Sequence, residues 1–257
     1  VDWEPRTGKR PGGFCTTSML TKESRIFMTY KQSLGDVLTL AHESGHAYHG
    51  AMMRDIRPYG RGYPMTLAET ASTFGEQVLM NGILDDPNIS QAQKASILDI
   101  ETGHAAVYLL DIPVRYEFEK AFYEERAGGP LSVSRLKELM VDTQRKIFGD
   151  VLEEGGEDPY FWASKLHFYI TGITFYNFPY TFGFLLSRAL YRMFKKDPGG
   201  FLPKYEEFLR LAGTEPAEKL VQQTIGQNIE QPQFWAEAID SLEEPAARLE
   251  KLMAEVL

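Results

Sequence analysis

His42-Glu43-Ser44-Gly45-His46 places two imidazoles four residues apart in a run with helical spacing. Residues four apart share one face of an α-helix, so His42 and His46 can offer two nitrogens to one metal ion. Glu43 sits one step round, beside the side of the ion that protein ligands would leave open. A carboxylate there can take a proton from a metal-activated water. The chemistry implied is metal-assisted hydrolysis.

A catalytic zinc commonly takes three protein ligands. The extended pattern with a third histidine on the same helix fails, because its glycine and histidine positions hold His49 and Met52. A carboxylate from the next helix is the natural alternative. Glu69 and Glu76 stand seven apart, hence on one helical face, after a turn-rich loop that lets the second helix fold back on the first. Glu69 is the candidate third ligand; its competing role is to cap its own helix with Thr66 in a T-x-x-E box. Glu76 can hold the second nitrogen of a ligand histidine, or it can simply face solvent. His49 lies on the face of His42 and His46, one turn on, and is expected to line the cleft or support a ligand. His104 has no metal-ligand spacing to anything and is expected to be structural.

These residues need a scaffold, and its pattern is mostly helical. Residues 1 to 13 have loop composition. Phe14 to Met19 and Arg25 to Tyr30 read as a short hairpin, joined by the polar segment Leu20 to Ser24. Ser33 and Asp36 form a weak capping box for the histidine-bearing helix, which fades by Arg57-Pro58. A second helix is expected from Thr66 to Asn81, and a long one from Ser90 to Arg126 that Pro113 should kink or break. Another spans Val133 to Phe148. Residues 160 to 185 are unusually aromatic, with Gly172 and Pro179 interrupting any helix until Phe182. Helices are then expected to Lys196, over Leu202 to Leu211 and Glu215 to Thr224, and from Pro232 onward with a break at Pro245. No internal repeat and no clear linker mark a boundary, so residues 1–257 are expected to form a single domain.

Composition narrows the partners. Apolar residues make up 43% of 257, ample for a core, and the formal charge is -9 without a long basic run. A phosphate-backbone partner is disfavoured, so no nucleic acid is expected. No apolar run reaches the eighteen or so residues that cross a bilayer, so no membrane partner is expected either. The lone Cys15 excludes an intrachain disulfide and fits a reducing compartment, with a cytoplasmic location the expectation. The chain opens Val-Asp-Trp and is read as a piece of something longer.

Three further stretches join the histidine motif in a resemblance. His42 through His49, Ala68-Glu69-Thr70-Ala71-Ser72-Thr73-Phe74, the opening Gly8-Lys9-Arg10-Pro11-Gly12-Gly13-Phe14-Cys15, and the aromatic block His167 to Gly183 together resemble the oligoendopeptidase F group of thimet-oligopeptidase-like zinc peptidases. The resemblance spans essentially the whole chain. It implies a multi-helical, zincin-like catalytic half. It also implies one Zn2+ per chain on His42, His46 and Glu69, with Glu43 as general base. His167 and the tyrosines of the aromatic block are implied substrate contacts: Tyr169, Tyr176 and Tyr180, with Tyr176 or Tyr180 stabilising the substrate carbonyl. An N-terminal lobe of the same protein is then an implied partner, and without it the exposed apolar surface is expected to self-associate.

The activity expected is endopeptidase cleavage of short peptides. Glu43 would move the water's proton to the departing nitrogen, and a tyrosine hydroxyl with the His167 imidazole would steady the oxyanion. An extended peptide could add to the edge of the strand Arg25 to Tyr30. Two other readings compete. A zinc carboxypeptidase would need Arg54, Arg57 or Arg61 to capture a terminal carboxylate. A fragment lacking its partner lobe could bind peptide or metal without turnover.

Overall fold

The computed structural model describes residues 1–9 and 12–256. Arg10, Pro11 and Leu257 lie outside the described residues, and with them part of the opening stretch expected as loop. Two compact units divide the chain: residues 1–102 with 182–257, and residues 103–181. The fold is mainly α with one small antiparallel hairpin, as the residue pattern indicates.

Strands β1 (Gly13–Thr17) and β2 (Ser24–Met28) pair in the register Gly13 to Met28 through Thr17 to Ser24. The hairpin packs on helix α1 (Leu34–Met52). Ser33 caps that helix: its hydroxyl accepts from the Asp36 amide while the Asp36 carboxylate accepts from the Ser33 amide, completing the expected box. Two orphan amides are thus satisfied where the helix starts.

The second helix departs from expectation. It is broken into α2 (Met65–Ala68) and α3 (Thr70–Asp85), with Glu69 at the joint. Pro64, not Thr66, stands at the start of α2, and no side chain caps it. The T-x-x-E box is therefore not formed. The Glu69 carboxylate accepts instead from the Ser72 hydroxyl at 2.8 Å, and the Thr73 hydroxyl donates to the Glu69 carbonyl at 2.6 Å. Gly183 seats against the joint; a methyl there would lie 2.9 Å from the Glu69 Cβ.

Helices α1 and α3 touch backbone to backbone. A Cβ on Gly45 would lie 2.2 Å from the Ala71 carbonyl oxygen, and one on Gly75 would lie 2.7 Å from that of Ala41. Two glycines facing each other let the helix axes come closer than side chains would allow.

The first unit also holds the start of α4 (Gln91–Ala106), most of α7 (Phe178–Lys196), and α8 (Pro198–Leu211), α9 (Ala217–Thr224), α10 (Pro232–Asp240) and α11 (Glu243–Val256). Leu38, Met80, Leu84, Leu98 and Leu252 form one of its apolar clusters. The buried pair Arg188–Glu101, at 2.8 Å, ties α7 to α4. Such a pair adds little net stability, but losing either partner would strand a buried charge. The helix expected from Phe182 begins four residues earlier, because Pro179 falls in its first turn, where a missing N–H is harmless. For the same reason α11 starts ahead of Pro245, and the break lies before it.

In the second unit the long helix is interrupted by a π turn, Val107–Asp111, and resumes as α5 (Ile112–Arg126) with Pro113 in its first turn. Pro113 thus breaks the pattern just upstream of itself, since its ring and missing N–H disrupt the preceding i to i−4 ladder. Helix α6 (Val133–Phe148) matches its expected bounds and packs on α5 around Val114, Phe118, Leu139 and Met140.

Candidate metal centre and aromatic cluster

The close crossing of α1 and α3 brings three candidate ligands together. The Nε2 atoms of His42 and His46 lie 3.2 Å and 3.5 Å from one oxygen of Glu69, and the three ligand atoms fall within 4.8 Å of one another. A tetrahedron with bonds of about 2.1 Å has edges of roughly 3.4 Å, so this spacing suits zinc. Two imidazoles and one carboxylate are also a donor set zinc favours. Among the described residues this is the one group of three or more such ligands. Asp55, further along the chain from α1, is not part of it.

Glu76, about two turns along α3 from Glu69 and only 7% exposed, stands 2.6 Å from His42 Nδ1. The Nδ1–H donates to this carboxylate, which leaves Nε2 directed at Glu69 and available to a metal. Burial alone would lower the His42 pKa, but the bonds to Glu69 and Glu76 prevail and raise it to about 10. Glu69 is shifted the other way: burial raises its pKa, and the two histidines overcome that and hold it well below the usual carboxylate range. Both shifts have one cause: the buried carboxylates draw a positive charge to the histidines, which a proton on His42 supplies and a divalent cation would supply too. Replacing Glu76 by Gln keeps the size but removes the charge that steadies His42. We expect metal affinity to fall roughly 10- to 100-fold with the fold intact, read by competition against a chelating dye.

Glu43 is 5% exposed, and its Oε2 has no hydrogen-bond partner. Burial pushes its pKa upward. Strand β1 lies over it: a Cβ on Gly13 would come within 3.1 Å of the Glu43 carboxylate. An unspent, buried carboxylate beside a ligand cluster has the features of a proton acceptor.

His49 differs from its expected place. It is fully buried, its Nε2–H donates to the Leu209 carbonyl at 3.0 Å on α8, and its ring stacks on Tyr63 at 4.3 Å. It neither lines a cleft nor bonds to a ligand; one face of α1 serves both metal cluster and core. Burial lowers its pKa to about 4. The folded chain thus keeps it neutral while the unfolded chain protonates it near 6.5, so its stability contribution is full above about 6.5 and lost as pH falls toward 4. Between about pH 7 and pH 4.5 the wild type should lose about 2 to 3 kcal/mol more than His49→Phe, read from urea melts at both pH values.

The edge of β2 is also not where a peptide could add. The Asp2 amide donates to the Ile26 carbonyl, the Met28 amide to the Asp2 carbonyl, and the Tyr30 amide to the Trp3 carbonyl. The N-terminal residues occupy that edge. Among the described residues the open edge belongs to β1, the strand over Glu43.

Within the second unit His167, Tyr176 and Tyr180 form a cluster of their own. The Tyr176 ring stacks on His167 at 5.4 Å, and the Tyr180 hydroxyl lies 3.4 Å from His167 Nε2. Burial, then the nearby Arg115 and Lys165 charges, lower the His167 pKa, so the imidazole is neutral and donates through one N–H only. Tyr169 is more than half exposed. Sequence reasoning missed Glu119 and Asn177, which are buried beneath the aromatic segment; an isolated Glu in a helix gave no signal.

Residues 1–241 match peptidase family M3. This chain belongs to peptidase family M3. Within it, the chromosomal oligoendopeptidase F of Lactococcus lactis subsp. cremoris is 30% identical over 98% of this chain and 41% of its own length. Oligopeptidase PepF of Bacillus subtilis strain 168 is 27% identical over the whole chain and 38% of its own length. The solved oligoendopeptidase-F of Enterococcus faecium shares the fold with a TM-score of 0.70, at 24% identity over 86% of this chain and 40% of that one. The chain therefore spans about two fifths of the length of these M3 relatives, and the resemblance to oligoendopeptidase F holds for the chain as a catalytic-half match. No described helix is long and apolar enough to cross a membrane.

Proposed function

We propose that residues 1–257 act as the zinc-bearing catalytic domain of an endopeptidase that cuts internal bonds of short peptides. The observation that carries this is the convergence of His42, His46 and Glu69 beside the buried, unpartnered Glu43. The names of the M3 relatives, oligoendopeptidase F and oligopeptidase, support the substrate class. His42, His46 and Glu69 would hold one Zn2+, which when bound supplies a Lewis acid that activates water and polarises the scissile carbonyl.

This chain's own groups do the rest. Glu43 accepts the water's proton on its free oxygen and returns it to the departing nitrogen. Glu76 keeps His42 in the tautomer that presents Nε2. His167, with Tyr176 or Tyr180, donates to the substrate's developing oxyanion, and Tyr169 contributes to substrate contact. An extended peptide pairs with the open edge of β1 rather than β2. The implied N-terminal lobe of the same protein closes the site against water, in a cytoplasmic setting.

For a carboxypeptidase, the Arg61 guanidinium is spent on the carbonyls of Ile56 and Arg54, which leaves Arg54 or Arg57 to capture a terminal carboxylate. Peptides blocked at both ends decide the matter when incubated with zinc-loaded protein, with and without a chelator. We expect cleavage at internal bonds, lost on chelation and restored by zinc. Cleavage insensitive to chelator, or confined to free C-termini, would overturn the proposal; zinc bound with no cleavage of any peptide would point to the non-catalytic reading.

A further inference from the structure

Tyr176 sits between two pinned neighbours, and the pins come from buried polar groups that the chemistry above does not use. Phe175 has φ +54, a left-handed backbone that a bulky side chain rarely adopts. Its amide donates to Glu119 Oε1 on α5 at 2.8 Å. Glu119 is 5% exposed, and its other oxygen faces the Asn177 side-chain amide without a well-formed hydrogen bond. Asn177 is fully buried, and its side-chain oxygen accepts from Arg115, whose guanidinium is itself held by Asp111. Residues 171–174, just upstream, are exposed.

A buried carboxylate that is not fully satisfied is destabilising, and a left-handed non-glycine residue adds to that. Core packing alone would be served better by an apolar side chain of Glu119's size. What the costly arrangement does achieve is local: it fixes the backbone on both sides of one residue, Tyr176, whose ring then lies flat on His167.

We propose that Glu119 is a positioning residue, which through the Phe175 amide holds Tyr176 stacked on His167. This rests on the roles given above to Tyr176 and His167 only for its consequence, not for its structural content. Glu119 touches no reacting atom. Glu119→Gln keeps an oxygen that can accept from the Phe175 amide, and Glu119→Ala removes it.

The test is proton NMR of the His167 ring, assigned with a His167→Asn variant, read without substrate. The stacked Tyr176 ring should shift the His167 ring protons upfield. Glu119→Ala should lose that shift, and Glu119→Gln should retain most of it. Hydrogen exchange in the unaltered chain gives an arm that no misfolded variant can confound: the Phe175 amide should exchange at least 100-fold more slowly than those of Thr171, Gly172 and Thr174, whereas the Ile173 amide is itself bonded to the Ile170 carbonyl. An unshifted His167 response to Glu119→Ala, equal losses in both variants, or a Phe175 amide that exchanges with its neighbours would each overturn the assignment. Because no arm reads turnover, the outcome stands apart from whether the chain cleaves peptides. If it does cleave them, Glu119→Ala should lower kcat with KM nearly unchanged, while Glu119→Gln rescues it.

Discussion

Glu43→Gln should leave zinc binding intact and reduce peptide cleavage by roughly 100-fold or more. Gln fills the same space beneath β1, so the 5% exposed position is not emptied. It cannot accept a proton, however, and the wild-type carboxylate has one oxygen with no other task. The three ligand atoms belong to other residues, so metal content should not change. Paired measurement of zinc stoichiometry and cleavage rate in zinc-loaded wild type and variant checks this. A variant that keeps both metal and full rate would remove Glu43 as the base; a variant that loses metal would mean that the carboxylate is instead part of the cluster.

What the residue pattern could disclose follows from how local each cause is. The histidine spacing, the Ser33–Asp36 box and helix α6 depend on contacts within a turn or two, and the structure has them where the pattern puts them. The break at Glu69 depends on partners far along the chain, His42, His46 and Gly183, none visible in the T-x-x-E pattern. His49 looked like its neighbours on α1 because a helical wheel records direction but not depth; the packing of α8 against it decides that it is core. The β2 edge looked free because its partner, Asp2-Trp3, has no strand signature. Glu119 left no trace, since a single acid in a helix becomes informative only when its burial and the left-handed Phe175 are known.

The same distinction between local and long-range causes sets the expected effect of Gly45→Ala. In an ordinary helix this change stabilises by about 1 kcal/mol, because glycine has the greater backbone freedom to lose. Here the sign reverses. The new methyl would meet the Ala71 carbonyl oxygen at 2.2 Å and Ser72 Cα at 2.6 Å, and both are backbone atoms that cannot rotate aside. Relief needs α1 and α3 to part by about 1 Å, at a cost of about 3 kcal/mol or more. For a chain of this size that is a fall in Tm of roughly 6–12 °C. The same displacement draws Glu69 away from His42 and His46, so zinc affinity should fall with stability, although no ligand has been altered. Ser44→Ala is the control: Ser44 is the neighbouring position inside the histidine motif, and it faces solvent. Thermal melts and zinc titrations of the two variants should separate cleanly, Ser44→Ala behaving as wild type and Gly45→Ala losing both. If Gly45→Ala melts and binds zinc as the wild type does, the two helices do not need their glycine crossing to assemble the metal centre.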